Sequence, residues 1–162
     1  MAQPRIYLAG PEVFRPDAIF EGHRLKKLCA AHGLTGIYPL DEPAQDALSI
    51  FHGCIGAIDR CSMMVANISP FRGPHMDPGT AFEIGYAIAK GVPVIGWTSC
   101  PGEMQQRIEH VIAEGMLWDK AGHQVEEFGL TENLMITVPM IELCDSVEDA
   151  IRAAANHLSK GR

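Results

Sequence analysis

Two carboxylates six residues apart, Asp77 and Glu83, stand in the most informative stretch of the chain, Asn67-Ile68-Ser69-Pro70-Phe71-Arg72-Gly73-Pro74-His75-Met76-Asp77-Pro78-Gly79-Thr80-Ala81-Phe82-Glu83-Ile84-Gly85-Tyr86-Ala87. Apolar residues surround Glu83 on nearly every side of a helix begun near Thr80: Ala81, Phe82, Ile84, Ala87, Ile88 and Ala89. The first turn of that helix is therefore expected to be buried, and a buried carboxylate needs a partner or a purpose. The same spacing, Thr80-x-x-Glu83, also fits a capping box, in which a threonine and a glutamate satisfy free amides of the first turn. Both readings stand on the residues alone.

A second group lies near the start of the chain. Tyr7 precedes the loop Ala9-Gly10-Pro11-Glu12-Val13-Phe14, where Gly10 admits a ligand or a neighbouring backbone and Phe14 can stack on a flat ring. An ordinary Gly-Pro turn explains the same residues. The loop is not Gly-x-Gly-x-x-Gly, so no dinucleotide cofactor is expected. His75 stands beside Asp77, but the seven histidines show no ligand spacing and no metal is expected.

These residues need a frame. Short β-rich apolar runs alternate with longer helical ones, the pattern of βαβ units and a parallel sheet covered on both faces. Strands are expected at Ile6 to Ala9, Thr35 to Tyr38, Met63 to Ile68, Val92 to Trp97 and Met135 to Val138. Helices are expected at Asp17 to Ala31, Ala47 to Cys61, Thr80 to Lys90 and Val147 to Leu158, with another over Glu103 to Glu114. Gly33 and Gly91 follow two of the helices, where a left-handed residue ends the helical ladder. The Gly/Pro-rich loops follow strands one to three, at the edge where open α/β sheets bind ligands. No repeat or low-complexity linker interrupts the pattern, and 162 residues fit a single domain spanning 1–162.

Composition limits the partners. A net charge of -7 and no cluster of Lys or Arg argue against polymeric nucleic acid. No window approaches the roughly 18 apolar residues of a membrane span, and Met1 to Arg5 lead directly into a strand without the marks of a signal peptide. The five cysteines are scattered and never spaced Cys-x-x-Cys, which fits neither a disulfide frame nor a zinc site. A reduced, cytoplasmic setting is expected.

Taken in order, Ile6-Tyr7-Leu8-Ala9-Gly10-Pro11, Phe71-Arg72-Gly73, Asp77-x-Gly79-x-Ala81-Phe82-Glu83-Ile84-Gly85-Tyr86-Ala87 and Asn133-Leu134-Met135 resemble the nucleoside 2-deoxyribosyltransferase family. The likeness runs over nearly the whole chain. It implies a flavodoxin-like doubly wound sheet of five parallel strands, and exchange of bases on 2'-deoxynucleosides without a cofactor. Glu83 then attacks the anomeric carbon, Tyr7 orients Glu83, and Asp77 holds the 5'-hydroxyl of the sugar. Gly10, Phe14, Asp41, Phe71, Arg72 and Gly79 are expected about the substrate. Asn133 and Met135 match a segment that a neighbouring subunit lends to the site, which implies a homo-oligomer. The resemblance also implies free nucleosides rather than nucleotides, because related deoxynucleoside monophosphate N-hydrolases carry serine where Asp77 stands.

Physical chemistry agrees with these roles. Loss of a base leaves an oxocarbenium-like sugar that a nearby carboxylate can stabilise and capture as an ester, and two such displacements retain the configuration. Transfer requires that a second base reach the ester before water does, so the pocket must exclude water. Cys54 stands where family members present an acidic or amide side chain to the base, which leaves the proton for the departing base to come from elsewhere: Asp41, Glu42, Asp59 or His52. Arg72 is open to a base contact or a loop-ordering salt bridge. The base-side loop Pro39-Leu40-Asp41-Glu42-Pro43 does not choose between purine and pyrimidine, while the Phe71 loop resembles purine-preferring members. The alternatives are an N-glycoside hydrolase acting on deoxynucleosides or deoxynucleotides, and a non-catalytic nucleoside-binding module on a widely reused fold.

Overall fold

A computed structural model describes residues 3–42 and 46–160. Pro43, the last residue of the base-side loop, lies outside the described residues. Five parallel strands form one sheet in the order β2-β1-β3-β4-β7: β1 Arg5–Ala9, β2 Thr35–Ile37, β3 Met63–Asn67, β4 Val94–Trp97 and β7 Glu142–Cys144. This is a flavodoxin-like α/β arrangement, with the central strands read as continuous apolar runs because both faces are covered. A separate antiparallel hairpin pairs β5 His110–Ala113 with β6 Met116–Asp119.

Two cores lie on opposite faces of the sheet. Ile6, Leu8, Met63, Val65 and Ile95 pack with helices α1 Ala18–Ala31 and α5 Val147–Lys160, through Leu25, Cys29, Ala150, Ile151 and Ala154. Tyr7, Ala9, Met64, Ala66 and Val94 point the other way, as alternation along a strand demands. They meet α2 Ala47–Asp59 and α3 Pro78–Ala89 through Ile58, Ile84 and Ala87. Tyr7 thus shares a face with the helix that carries Glu83.

Three expectations are corrected. Met135 to Val138 is not the fifth strand: Leu134–Thr137 forms a short helix, α4, because the side chain of Asn133 accepts from the Met135 amide and caps it. The fifth strand is β7, which the Ile141 amide enters by donating to the Val94 carbonyl. Glu103 to Glu114 is a 3-10 turn, Met104–Arg107, followed by β5. Finally, α3 begins at Pro78, a residue suited to the first helical position since it has no amide to satisfy. Its cap is Asp77, so Thr80-x-x-Glu83 is not a capping box.

Candidate active site

Strands β1 and β3 are neighbours whose connections leave on opposite faces, and the loops beyond their carboxyl ends form the crevice in which doubly wound sheets hold ligands. Asp77 ends the loop after β3 and is almost fully buried. Its Oδ2 accepts from the Thr80 amide at 2.8 Å and from the Thr80 hydroxyl at 2.9 Å. No hydrogen bond among the described residues uses Oδ1. A Cβ on Gly79 would lie 3.2 Å from Asp77 Oδ2, so the glycine leaves room for this carboxylate.

Glu83, six residues beyond the Asp77 cap and less than two turns into α3, faces back toward β1. There the Tyr7 hydroxyl donates to Glu83 Oε1 at 2.6 Å, across 76 residues of sequence. Burial is the main cause that raises the Glu83 carboxyl from its ordinary 4.5 to about 7, and the charge of Asp77 adds to it. The hydrogen bond from Tyr7 and the nearby Cys54 thiol act in the opposite direction. Tyr7 is fully buried, and burial together with the charge of Glu83 holds its hydroxyl protonated. The arrangement keeps an oriented carboxylate poised near neutrality, a property typical of catalytic groups.

A cavity of about 610 Å³ opens beside it, within the range of small-molecule sites. Gly10, Phe14, Asp41, Asp77, Gly79 and Glu83 all line it, as do Cys54, Thr80 and Tyr38. Phe14 is 56% exposed and stacks on Phe71 with ring centroids 5.3 Å apart. Arg72 lies over both rings, 4.6 Å from Phe71 and 5.2 Å from Phe14, a cation–π contact rather than a salt bridge. Phe71 and Arg72 support Phe14 from outside the cavity wall. Arg72 does so with φ of 53°, in the left-handed region that non-glycine residues seldom occupy.

The proton-donor candidates fare unequally. Asp41 lines the cavity, but one oxygen pairs with Lys26 and the other accepts from the Tyr38 amide at 2.9 Å. Glu42 also lines it and is exposed. Asp59 is engaged by Tyr86 and Lys90, and neither it nor His52 is among the lining residues. Burial pushes the Cys54 thiol above its ordinary value, so it stays protonated beside Glu83. Among the described residues no cluster of His, Cys, Asp and Glu is placed to hold a metal ion, and no helix is long and apolar enough to cross a membrane.

Asn133 and Met135 do not line this cavity. Asn133 caps α4 and donates to Glu126, while Met135 is 72% exposed. Four polar residues that carry the site's scaffolding had no distinguishing signal in the sequence. Glu12 is buried against Gly10, whose added Cβ would fall 2.0 Å from Glu12 Oε2. Its other oxygen accepts from Asn67. Burial raises the Glu12 carboxyl above the usual range, against the pull of the Asn67 bond. Glu132 is 1% exposed, and Arg107 bonds the Pro74 and Thr131 carbonyls beside it; Tyr38 lines the cavity elsewhere, its hydroxyl buried without a partner among the described residues.

Comparison with known proteins bears directly on this geometry. The family model described as nucleoside 2-deoxyribosyltransferase matches residues 6–135, which include β1, the Asp77 loop, α3 and the Asn133 segment. The chain belongs to the nucleoside 2-deoxyribosyltransferase family. A 2-desoxiribosyltransferase from Leishmania mexicana superposes with a TM-score of 0.83 and 32% identity, over 95% of this chain and 98% of that one. A 2-deoxyribosyltransferase from the psychrotolerant bacterium Bacillus psychrosaccharolyticus shares the fold, with a TM-score of 0.60 and 19% identity over 93% of this chain and 95% of the other. An uncharacterised protein of Schizosaccharomyces pombe is 40% identical over 106 residues, 59% of this chain, and the match spans half of that relative's length.

Proposed function

We propose that this chain transfers the 2-deoxyribosyl group between nucleobases, by a retaining double displacement with Glu83 as nucleophile. The observation that carries the reading is the 2.6 Å hydrogen bond from Tyr7 to Glu83 Oε1 at the wall of the cavity that Asp77 also lines. With Oε1 held by Tyr7, Oε2 is the oxygen for attack on the anomeric carbon. The carbon–nitrogen bond breaks as the carbon–oxygen bond forms, its electron pair leaves with the base, and the base takes up a proton. The ring nitrogen of a second base then displaces the glutamate, loses its own proton, and restores the original configuration. Asp77 Oδ1 is the acceptor proposed for the 5'-hydroxyl, and Phe14, braced by Phe71 and Arg72, the surface on which a base stacks. A carboxylate at position 77 disfavours a 5'-phosphate, which supports free deoxynucleosides as substrates.

The same reading makes the protein a homo-oligomer of at least two chains, with Asn133 and Met135 completing a neighbour's site. An exposed apolar face supports it: Leu48, Ile50 and Phe51 on α2, Phe82 on α3, and Met135 and Val138 at α4 all remain uncovered in one chain. The likeness of the Phe71-Arg72-Gly73-Pro74 loop to purine-preferring members favours purine bases, and the scattered cysteines fit a role in nucleoside salvage in a reduced cytoplasm.

Incubation with deoxyinosine and adenine is expected to yield deoxyadenosine and hypoxanthine. Glu83→Ala is expected to keep the fold and lose exchange by several orders of magnitude, as removal of a nucleophile does elsewhere. Near wild-type exchange by that variant overturns the mechanism. Free deoxyribose accumulating faster than exchanged nucleoside, with acceptor base in excess, would make the protein a hydrolase instead.

A further inference from the structure

The loop that delivers Asp77 and the segment that presents Asn133 are 56 residues apart in sequence and are tied to each other by two side chains of opposite charge. Glu132, buried to 1% exposure, accepts from the Met76 amide through Oε2 at 2.9 Å and from the Asn133 amide through Oε1 at 2.9 Å. The His75 ring meets the same Oε1 at 2.9 Å. Arg107 works on the carbonyls of the same two segments: Nε donates to Pro74 at 3.0 Å and the terminal nitrogen to Thr131. One residue therefore gathers amides and the other gathers carbonyls, and each spans the same gap. Neither lines the cavity.

We infer that Glu132 and Arg107 are positioning residues, a cross-brace that sets the Asp77 loop and the Asn133–Met135 segment in fixed relation. The inference rests on the reading of Asp77 and Asn133 given above. A carboxylate buried this deeply is costly unless its oxygens are satisfied, so the Met76 amide cannot drift without leaving Oε2 unpaired, while Oε1 is shared by the Asn133 amide and the His75 ring. The brace joins a residue of the chain's own site, Asp77, to the segment proposed to complete a neighbour's site. Displacement of either end is transmitted to the other through two side chains rather than through the 56 intervening residues.

Glu132→Gln is the decisive variant, because an amide can accept only at its oxygen and must turn an N–H toward one of the two backbone N–H groups. The test is a double-mutant cycle with Asp77→Asn, reading kcat/KM for deoxyinosine exchange. The expected loss is about tenfold in the wild-type background and about threefold when Asp77 is already Asn, the part through Asp77 being masked and the part through Asn133 remaining, since residues that act through one another are not additive. Equal losses in both backgrounds would reduce Glu132 to general scaffolding and overturn the inference. If Glu132→Gln fails to fold, Arg107→Met takes its place in the same cycle. Amide hydrogen exchange on the full chain supplies a readout that needs no substrate: exchange should quicken at 71–77 and at 131–135 together, with α1 and α5 unchanged. Loosening of one segment without the other overturns the brace, and does so whether or not the protein proves to be a transferase.

Discussion

Glu83→Gln tests the central carboxylate through stability as well as activity. Glutamine keeps an oxygen for the Tyr7 hydroxyl and nearly the same shape, but removes the charge. In the folded chain burial, aided by Asp77, lifts the Glu83 carboxyl from 4.5 to about 7. Each pH unit between folded and unfolded values is worth about 1.4 kcal/mol, so the charge costs the wild-type fold about 3 kcal/mol once it is fully ionised. The sign follows from the protons. Between pH 4.5 and about 7 the folded carboxyl holds a proton that the unfolded one has lost, so stability is fullest below 4.5, falls as pH rises, and levels off above 7. Urea unfolding of both proteins at fixed concentration, from pH 5 to pH 8, isolates the effect. Other raised carboxyls such as Glu12 contribute to both curves and cancel in the difference. The variant should gain on the wild type by about 2 to 3 kcal/mol across that range, most of it before pH 7, while exchange is lost. A stability difference that stays constant within about 1 kcal/mol from pH 5 to pH 8 would refute the claim that Glu83 is a partly buried, perturbed carboxylate.

Tyr7→Phe removes the bond that favours the ionised Glu83, a hydrogen bond to charge worth about 1.5–3 kcal/mol, so kcat is expected to fall roughly tenfold to a hundredfold. The rising acid limb of the pH–rate profile, expected near pH 7 in the wild type, should move to higher pH in the variant; an unmoved limb would assign it to another group. Glu83→Ala and Asn133→Ala chains, each inactive alone, should recover activity when unfolded and refolded together in equal amounts. In a dimer with random pairing about a quarter of the sites then combine an intact Glu83 with an intact lent Asn133. No recovery, with oligomers confirmed by sedimentation, would remove Asn133 from the neighbour's site.

Much of this architecture was legible in residue order. Apolar runs such as Met63-Met64-Val65-Ala66 between longer helical stretches specify a covered parallel sheet, because strands buried on both faces tolerate little else. The Asp77 to Glu83 spacing and Tyr7 were visible as a set. Spacing alone offered Thr80-x-x-Glu83 as the cap of a helix begun near Thr80, whereas the helix starts at Pro78 with Asp77 as its cap. Three-dimensional packing decided it: Tyr7 draws Glu83 toward the sheet, and Asp77 is left to bind the Thr80 amide. The fifth strand was misplaced for a similar reason. Ile136-Thr137-Val138 has strand-like side chains, but Asn133 offers a helix cap, and it is Glu142–Cys144 that pairs with the free edge of β4. Glu12, Glu132 and Arg107 were invisible because burial of a single charged residue leaves no periodic trace in a sequence. The local order of residues thus determined four of the five sheet strands, most of the helices and the candidate site carboxylates, through short-range propensity and hydrophobic period. Partnerships across 55 to 76 residues, which set the Glu83 carboxyl near 7 and brace the loops around it, depend on the folded contacts that bring those residues together.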